Sequence, residues 1–192
     1  FTPTRTTLHL SGNPGNTASL EALTFHFTAP DGTAYGAVDG SISAMGTAGE
    51  AGFYTYYCQS LFFLEDPTAL TLVLEDALWC AKDAAPITVD LNDGSYAGAL
   101  PAGVTALWVE KNRGTPVVMV ETVISQMPFT SYLGEKGVES LLLQGGVSQT
   151  DEADGRRYEY VLEGYEGDAI ALIPDYTQET VLDPPLEISL DA

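Results

Sequence analysis

The stretch TDEADGRRYEY, Thr150–Tyr160, sets three carboxylates and a glycine ahead of an alternating aromatic run. Acids gathered in this way are the raw material of a calcium loop. A helix-loop-helix calcium site counted from Asp151 requires an oxygen ligand at its third position, glycine at its sixth and a bidentate Glu at its twelfth. The chain has Ala153, Arg156 and Leu162 there. The stretch therefore reads as a turn entering a strand, with Asp154–Gly155 supplying the turn conformation that these residues tolerate.

Other chemistry has thinner material. The two histidines, His9 in LHL and His26 in FHF, sit mid-strand between apolar neighbours that point to the opposite face, which makes them exposed-face residues. No His/Cys spacing offers converging metal ligands, so neither a metal nor a cofactor is expected. DGSIS and GGVSQ only approximate a nucleophile elbow, and two histidines leave few bases for a serine triad. Glu65, Asp66, Glu75 and Asp76 lie near strand ends, where paired carboxylates serve glycoside hydrolysis. Acids this abundant make any one pair uninformative. No glycine-rich phosphate loop precedes a helix. No catalytic residue is assigned, and the chain is expected not to be an enzyme.

Aromatic residues are the remaining candidates. Tyr54, Tyr56, Tyr57, Trp79, Trp108, Tyr158, Tyr160, Tyr165 and Tyr176 include enough rings for a sugar-stacking platform. Alternation argues otherwise: Tyr54, Tyr56 and Cys58 share one strand face, and Tyr158, Tyr160 and Leu162 share another. Such stripes are expected in the core or half-buried.

Charge limits the partners. Against 27 Asp and Glu stand 7 Lys and Arg, a net charge of -20 over 192 residues. That field repels phosphate backbones and anionic membrane surfaces, so nucleic acid is not an expected partner. The acids are scattered among apolar residues, as on the solvated faces of a β protein. The opening FTPTRTTLHL lacks the cationic start and apolar core of a signal peptide and is expected to be a trimmed beginning, any membrane anchor lying outside it. No stretch approaches the roughly 18 to 20 apolar residues needed to cross a bilayer.

The elements that must position these residues are strands. Segments such as LTFHFTA, ALTLVLED, PVVMVETVIS and RRYEYVLEG alternate or are β-branched and aromatic, and SGNPGN, APDG, LNDGSY, LPAG and KNRGTP between them are turn chemistry. Sliding the chain on itself by about one hundred residues aligns further features, and repeats at a fixed offset decide a fold. TLHL from Thr7 meets ALWV from Ala106, and EALTFHF from Glu21 meets ETVISQM from Glu121. YTYYC from Tyr54 meets YEYVL from Tyr158, and ALTL from Ala69 meets AIAL from Ala169. APITVDL, ending at Leu91, meets PPLEISL, ending at Leu190. The fold expected is all-β, two tandem immunoglobulin-like sandwiches over residues 1–92 and 93–192, joined near Asn92–Gly94, with Tyr56 over Tyr160 and Leu70 over Ile170. The repeat sets Cys58 opposite Leu162 and Cys80 near Thr180. Cys58 is thus expected as a small buried hydrophobe, with the redox state of the pair open.

The sparse bases, the many acids, GRRYEYVLEGYEGDAIALIPDY and the closing DPPLEISL together resemble the extracytoplasmic part of a class of Gram-positive single-pass membrane proteins. These carry β-sandwich ectodomains of unknown function, some encoded beside extracytoplasmic-function sigma factors. The resemblance covers mainly Val117–Leu190. It implies a non-enzymatic, membrane-anchored ectodomain at the cell surface that senses the envelope or binds a protein, peptide or glycan, with regulation of a sigma factor as the narrower expectation. The alternative is a carbohydrate-binding or adhesion module.

Overall fold

The computed structural model describes residues 4–13, 15–36, 44–48, 53–58, 60–62, 69–134, 138–142, 146–152 and 155–190. The fold is all-β, with no α-helix among the described residues. The chain divides into two compact units, one made of residues 1–82 and 179–192, the other of residues 83–178.

The first unit contains β1 (Thr6–Ser11), β2 (Ala18–Thr28), β3 (Ala34–Gly36), β4 (Ala44–Ala48), β5 (Phe53–Cys58) and β6 (Thr71–Ala81). The second contains β7 (Ile87–Asp90), β8 (Tyr96–Ala97), β9 (Val104–Asn112), β10 (Thr115–Thr122), β11 (Phe129–Leu133), β12 (Glu139–Leu141), β13 (Val147–Glu152), β14 (Gly155–Val161) and β15 (Ala169–Pro174). The last strand, β16 (Gln178–Ser189), returns to the first unit. There the sheets have the orders β1-β5-β4 and β16-β6-β2-β3; in the second unit they are β13-β14-β10-β9 and β12-β11-β15-β7-β8.

Each unit is a two-layer structure because its sheets share one apolar core. In the first, Phe25 and Phe27 of β2 and Leu72 of β6 meet Tyr56 and Cys58 of β5. In the second, Ile87, Val89, Phe129, Ile170 and Leu172 of one sheet meet Leu107, Val118, Val120, Tyr158 and Tyr160 of the other. Inward residues alternate along β7, β14 and β15 and at Phe25 and Phe27 of β2, as a pleat demands, whereas Val117–Val120 of β10 are buried on both faces.

The two units repeat one plan. Taking β1 to β6 in order against β10 to β15, every neighbour relation is preserved: β1-β5-β4 matches β10-β14-β13, and β6-β2-β3 matches β15-β11-β12. The second unit adds β9 outside β10 and β8 outside β7. Both plans need a seventh strand beside the sixth. In the first unit it is β16, where Leu190 N–H donates to the Leu70 carbonyl at 3.1 Å. In the second it is β7, where Leu91 N–H donates to the Asp168 carbonyl at 2.8 Å. Leu91 and Leu190 end the two proline-led segments of the repeat, so each segment closes the unit away from the strand that precedes it.

Three expectations change accordingly. The tandem boundary of 1–92 and 93–192 is replaced by an inserted second unit, with crossings at residues 82/83 and 178/179. The proposed joint, Asn92–Gly94, is the β7–β8 hairpin turn: Asp90 Oδ1 accepts from Asn92 N–H at 2.7 Å and Asp93 N–H at 3.3 Å, and Gly94 has φ 77°. Asx turns and positive-φ glycines serve hairpins and linkers alike. The early part of the repeat is one strand out of step, since β1 corresponds to β10 and not β9. Its later part, β5 with β14 and β6 with β15, keeps its register of elements. Strand order also differs from the immunoglobulin arrangement, which puts the second strand beside the fifth; here β2 lies between β6 and β3.

Two turns fix the frame of the second unit. The β9–β10 hairpin closes through Arg113–Gly114, with φ 51° and 94° between the paired Asn112 and Thr115, which fits the inverse turn that matches strand twist. Gly155, expected as a turn residue, starts β14 opposite Glu152 and is needed for a different reason. A Cβ there would lie 2.4 Å from the Thr122 carbonyl oxygen of β10.

Val89→Ala, at a fully buried position of β7, should cost about 2 kcal/mol and appear in amide hydrogen exchange as lost protection in β15 and β11, with β6 and β2 unchanged. Loss centred on β6 would mean that β7 pairs with the strand preceding it.

Candidate functional site

The opening stretch folds as a hairpin whose charges are paired internally. Asp151 faces Arg156 across β13–β14, with Arg156 Nε 3.1 Å from its carboxylate, and Gln149 Nε2 donates to the same oxygen at 2.8 Å. Arg156 also donates to the Ser125 carbonyl. Ala153 and Asp154 lie outside the described residues, as do Glu65, Asp66 and the serines of DGSIS.

Five tyrosines are structural in a specific sense: the hydroxyls of Tyr54, Tyr56, Tyr158, Tyr165 and Tyr176 bind main-chain groups. Tyr54 donates to the Glu21 carbonyl at 2.6 Å, and Tyr56 accepts from Leu23 N–H at 2.5 Å. Burial pushes both phenols above their usual range, Tyr56 the more strongly. In the second unit Tyr158 donates to the Ser125 carbonyl and Tyr176 to the Gln126 carbonyl, at 3.1 and 3.3 Å, fixing the loop between β10 and β11. Tyr165 donates to the Ala169 carbonyl at 2.6 Å and packs edge-on against Tyr132. Tyr57, on the other face of β5, lies under Arg5 at 4.8 Å. The nine aromatics therefore form no single platform: Tyr54 and Tyr56 belong with the first core, Tyr158, Tyr160 and Tyr165 with the second, and Tyr57 and Trp108 lie beside arginines outside both.

His9 is exposed on β1 and 3.1 Å from the Thr55 hydroxyl, while His26, half-buried on β2, lies 3.6 Å from Glu75. Asp76 accepts from the Thr24 hydroxyl at 2.8 Å. Glu75 and Asp76 therefore have separate partners. Among the described residues no cluster of three His, Cys, Asp or Glu side chains is arranged to hold a metal. No disulfide joins the two cysteines; Cys58 is buried in the first core, and desolvation pushes its thiol up to about 11, which makes it a poor nucleophile at neutral pH.

The face of the sheet β13-β14-β10-β9 turned away from the core carries a polar cluster beside Val117 and Met119, which are themselves buried. Leu107, Val118, Val120, Tyr158 and Tyr160 face the core, so their alternate neighbours face out. The register puts Trp108, Met119, Glu159 and Ser148 in one row and Ala106, Glu121, Arg157 and Thr150 in the next. Arg157 pairs with Glu121 at 2.9 Å and stands 5.9 Å from the Trp108 ring. Trp108 Nε1–H donates to Glu110 at 2.9 Å. The result is a half-buried indole and guanidinium framed by three carboxylates, a surface suited to hydroxyl-bearing or cationic groups. Of these residues sequence reasoning weighed only Trp108 and the tyrosines. Arg156–Arg157, an adjacent pair in a chain with seven bases, was the available signal for the rest.

A second feature is Asp175, directly after β15, for which the sequence has no signal. Its backbone N–H donates to the Pro128 carbonyl, and Thr130 donates to Oδ1 at 2.8 Å. Oδ2 is buried without a hydrogen-bond partner, as is the hydroxyl of Tyr160. Desolvation raises the Asp175 carboxyl to about 6, with nearby Glu139 adding to the rise, and burial raises the Tyr160 phenol. A perturbed carboxyl is a common mark of an active site, but here the groups around it are core tyrosines and a strand threonine.

Compared with protein-family models, curated proteins and solved structures, the chain matches none.

A carboxyl held above its unfolded value favours its protonated form, so its contribution to stability is full below about pH 4 and is lost as pH rises through about 6. Asp175→Asn should accordingly raise the melting temperature at pH 7.5, by about 1 kcal/mol of stability, and the gain should shrink toward zero at pH 4. Calorimetry of both proteins across that range checks it; a gain independent of pH would mean that Asp175 is ionised freely in the fold.

Proposed function

We propose that the chain is a non-enzymatic ectodomain of a membrane-anchored surface protein, acting by binding a partner outside the membrane. The carrying observation is how its reactive groups are used: tyrosine hydroxyls hold main-chain carbonyls, Asp151 and Glu121 hold arginines, and Asp76 holds a threonine. Side chains committed in this way serve architecture, and the exposed loops and outer sheet faces are left for recognition. The net charge of -20 supports a protein or glycan partner over nucleic acid. Envelope placement and regulation of a sigma factor rest on the resemblance of Val117–Leu190 to extracytoplasmic domains of that class. Each unit is about the size of an immunoglobulin domain, and a two-sheet module of that size is a common spacer and recognition element.

The second reading, a carbohydrate-binding module, is favoured by the surface around Trp108. One ring edge is held by Glu110, Arg157 faces it, and Glu121 lies alongside. Sugar recognition combines an aromatic face with carboxylates in this manner.

Deleting the ectodomain from the intact gene should abolish the response of the neighbouring sigma regulon to envelope stress, measured as transcript level; an unchanged response would remove the regulatory role. For the glycan reading, Trp108 fluorescence should change saturably with cell-wall oligosaccharides and lose that change in Trp108→Ala. A flat titration of the parent protein would end that reading.

A further inference from the structure

The repeated plan exposes a difference between the units. In the second, β9 pairs along the outer edge of β10, puts Leu107 into the core and packs Val104 and Val109 against it. It also reaches the closing strand's side of the unit: a Cβ on Gly94, in the turn after β7, would lie 3.4 Å from the Val109 backbone. The closing strand is then sealed, with Ile87 and Val89 at 0% exposure and Leu91 at 3%. In the first unit β10's counterpart is β1, and among the described residues nothing pairs with its outer edge. The residues of β16 that correspond to Ile87 and Val89 are Leu186 and Ile188, and they are 51% and 40% exposed.

We infer that the outer edge of β1 accepts an extended segment of a partner protein, which adds as an antiparallel strand in the position β9 occupies in the second unit and covers Leu186 and Ile188. The inference rests on reading the chain as a protein-binding module and names its surface.

Two further observations fix the occupant. Edge strands are ordinarily protected by charge, proline or brevity. β16 carries Asp183, Pro184, Pro185 and Glu187, β13 ends in Asp151–Glu152, β9 carries Glu110 and Lys111, and β3, β8 and β12 have three residues or fewer. Among the described residues β1, TTLHLS, is the longest edge with neither acid, Lys, Arg nor proline, followed by β4, AMGTA. Its open main-chain groups and the apolar floor beside them are what strand addition uses, with hydrogen bonds giving affinity and alternate side chains giving specificity. Charge then excludes a second copy: the first unit has 12 acids against 2 bases, and pairing two chains of net charge -20 edge to edge is repulsive. The partner segment is neutral or basic, with apolar residues at alternate positions.

The probe is a synthetic peptide of residues 104–112, VTALWVEKN, which is neutral and carries the alternation of the internal counterpart. Added to the full chain, it should bind saturably below about 1 mM, protect amides of β1 from hydrogen exchange, and fail when its sequence is scrambled. Leu186→Lys with Ile188→Lys, both at exposed positions, should weaken it at least about tenfold, and an unchanged melting temperature confirms the fold of the variant. Equal binding to that variant, or no saturable binding, overturns the site. Peptide binding that shifts the Trp108 indole resonance and not β1 also overturns it, while leaving the chain a binding module. A dimer formed without peptide and lost in the double variant would assign the edge to a second copy and overturn the partner proposed here.

Discussion

Each sandwich depends on a strand that its own consecutive six cannot supply. A sheet ending at its sixth strand would leave a row of unpaired main-chain groups and an open side to its core, a costly arrangement where water is excluded. β7 fills that place beside β15 and β16 fills it beside β6, each following in sequence the sixth strand of the other unit. The links into them, Lys82–Pro86 and Asp175–Thr177, are short enough for hairpins. The residue before a proline is pushed to extended backbone, so Ala85–Pro86 opposes folding back directly after β6. The connectivity thus has a local cause as well as a global effect: the last strand of one half belongs to the core of the other.

Within that frame, tyrosine is used where an aliphatic residue would fill the same volume. Its ring supplies apolar area, and at Tyr54, Tyr56, Tyr158, Tyr165 and Tyr176 its hydroxyl binds a main-chain group of another segment. The loop between β10 and β11 is the clearest instance, because Arg156, Tyr158 and Tyr176, from two different parts of the chain, hold Ser125 and Gln126. The same economy leaves a defect at Tyr160 and Asp175, where two polar atoms are enclosed without partners. The buried carboxyl lies at the start of the link to β16, so the penalty of enclosing it falls where the chain changes units.

Much of this was legible in the chain because period-two alternation is a strong signal. The strands, the inward face of Tyr56–Cys58 and Tyr158–Leu162, and the likeness of APITVDL to PPLEISL all follow from residue pattern alone. What pattern cannot assign is pairing. TLHL matches ALWV of β9 although β1 takes the place of β10, because a four-residue alternation does not say which of two adjacent strands it belongs to, and LNDGSY is as good a hairpin as a linker. Strand exchange is invisible for a related reason: the proline-led segments are alike, so either fits either place. Asp175 escaped notice since its environment comes from Thr130, Glu139 and Tyr160, residues distant in sequence. The Trp108 surface was half visible, its indole being conspicuous while its partners Glu110 and Arg157 depended on register.

The insertion also orders events during synthesis. Residues 83–178 form a contiguous unit that emerges whole from the ribosome, whereas the first six strands, made earlier, remain without their seventh until residues 179–190 appear. At about 5 to 20 residues per second that interval is about 5 to 20 s. The older half of the chain therefore matures last, with Phe25, Phe27 and Leu72 guarded only by partial sheets in the meantime. A frameshift or protease that removes the final segment would strike the amino-terminal unit and spare the one nearer the break.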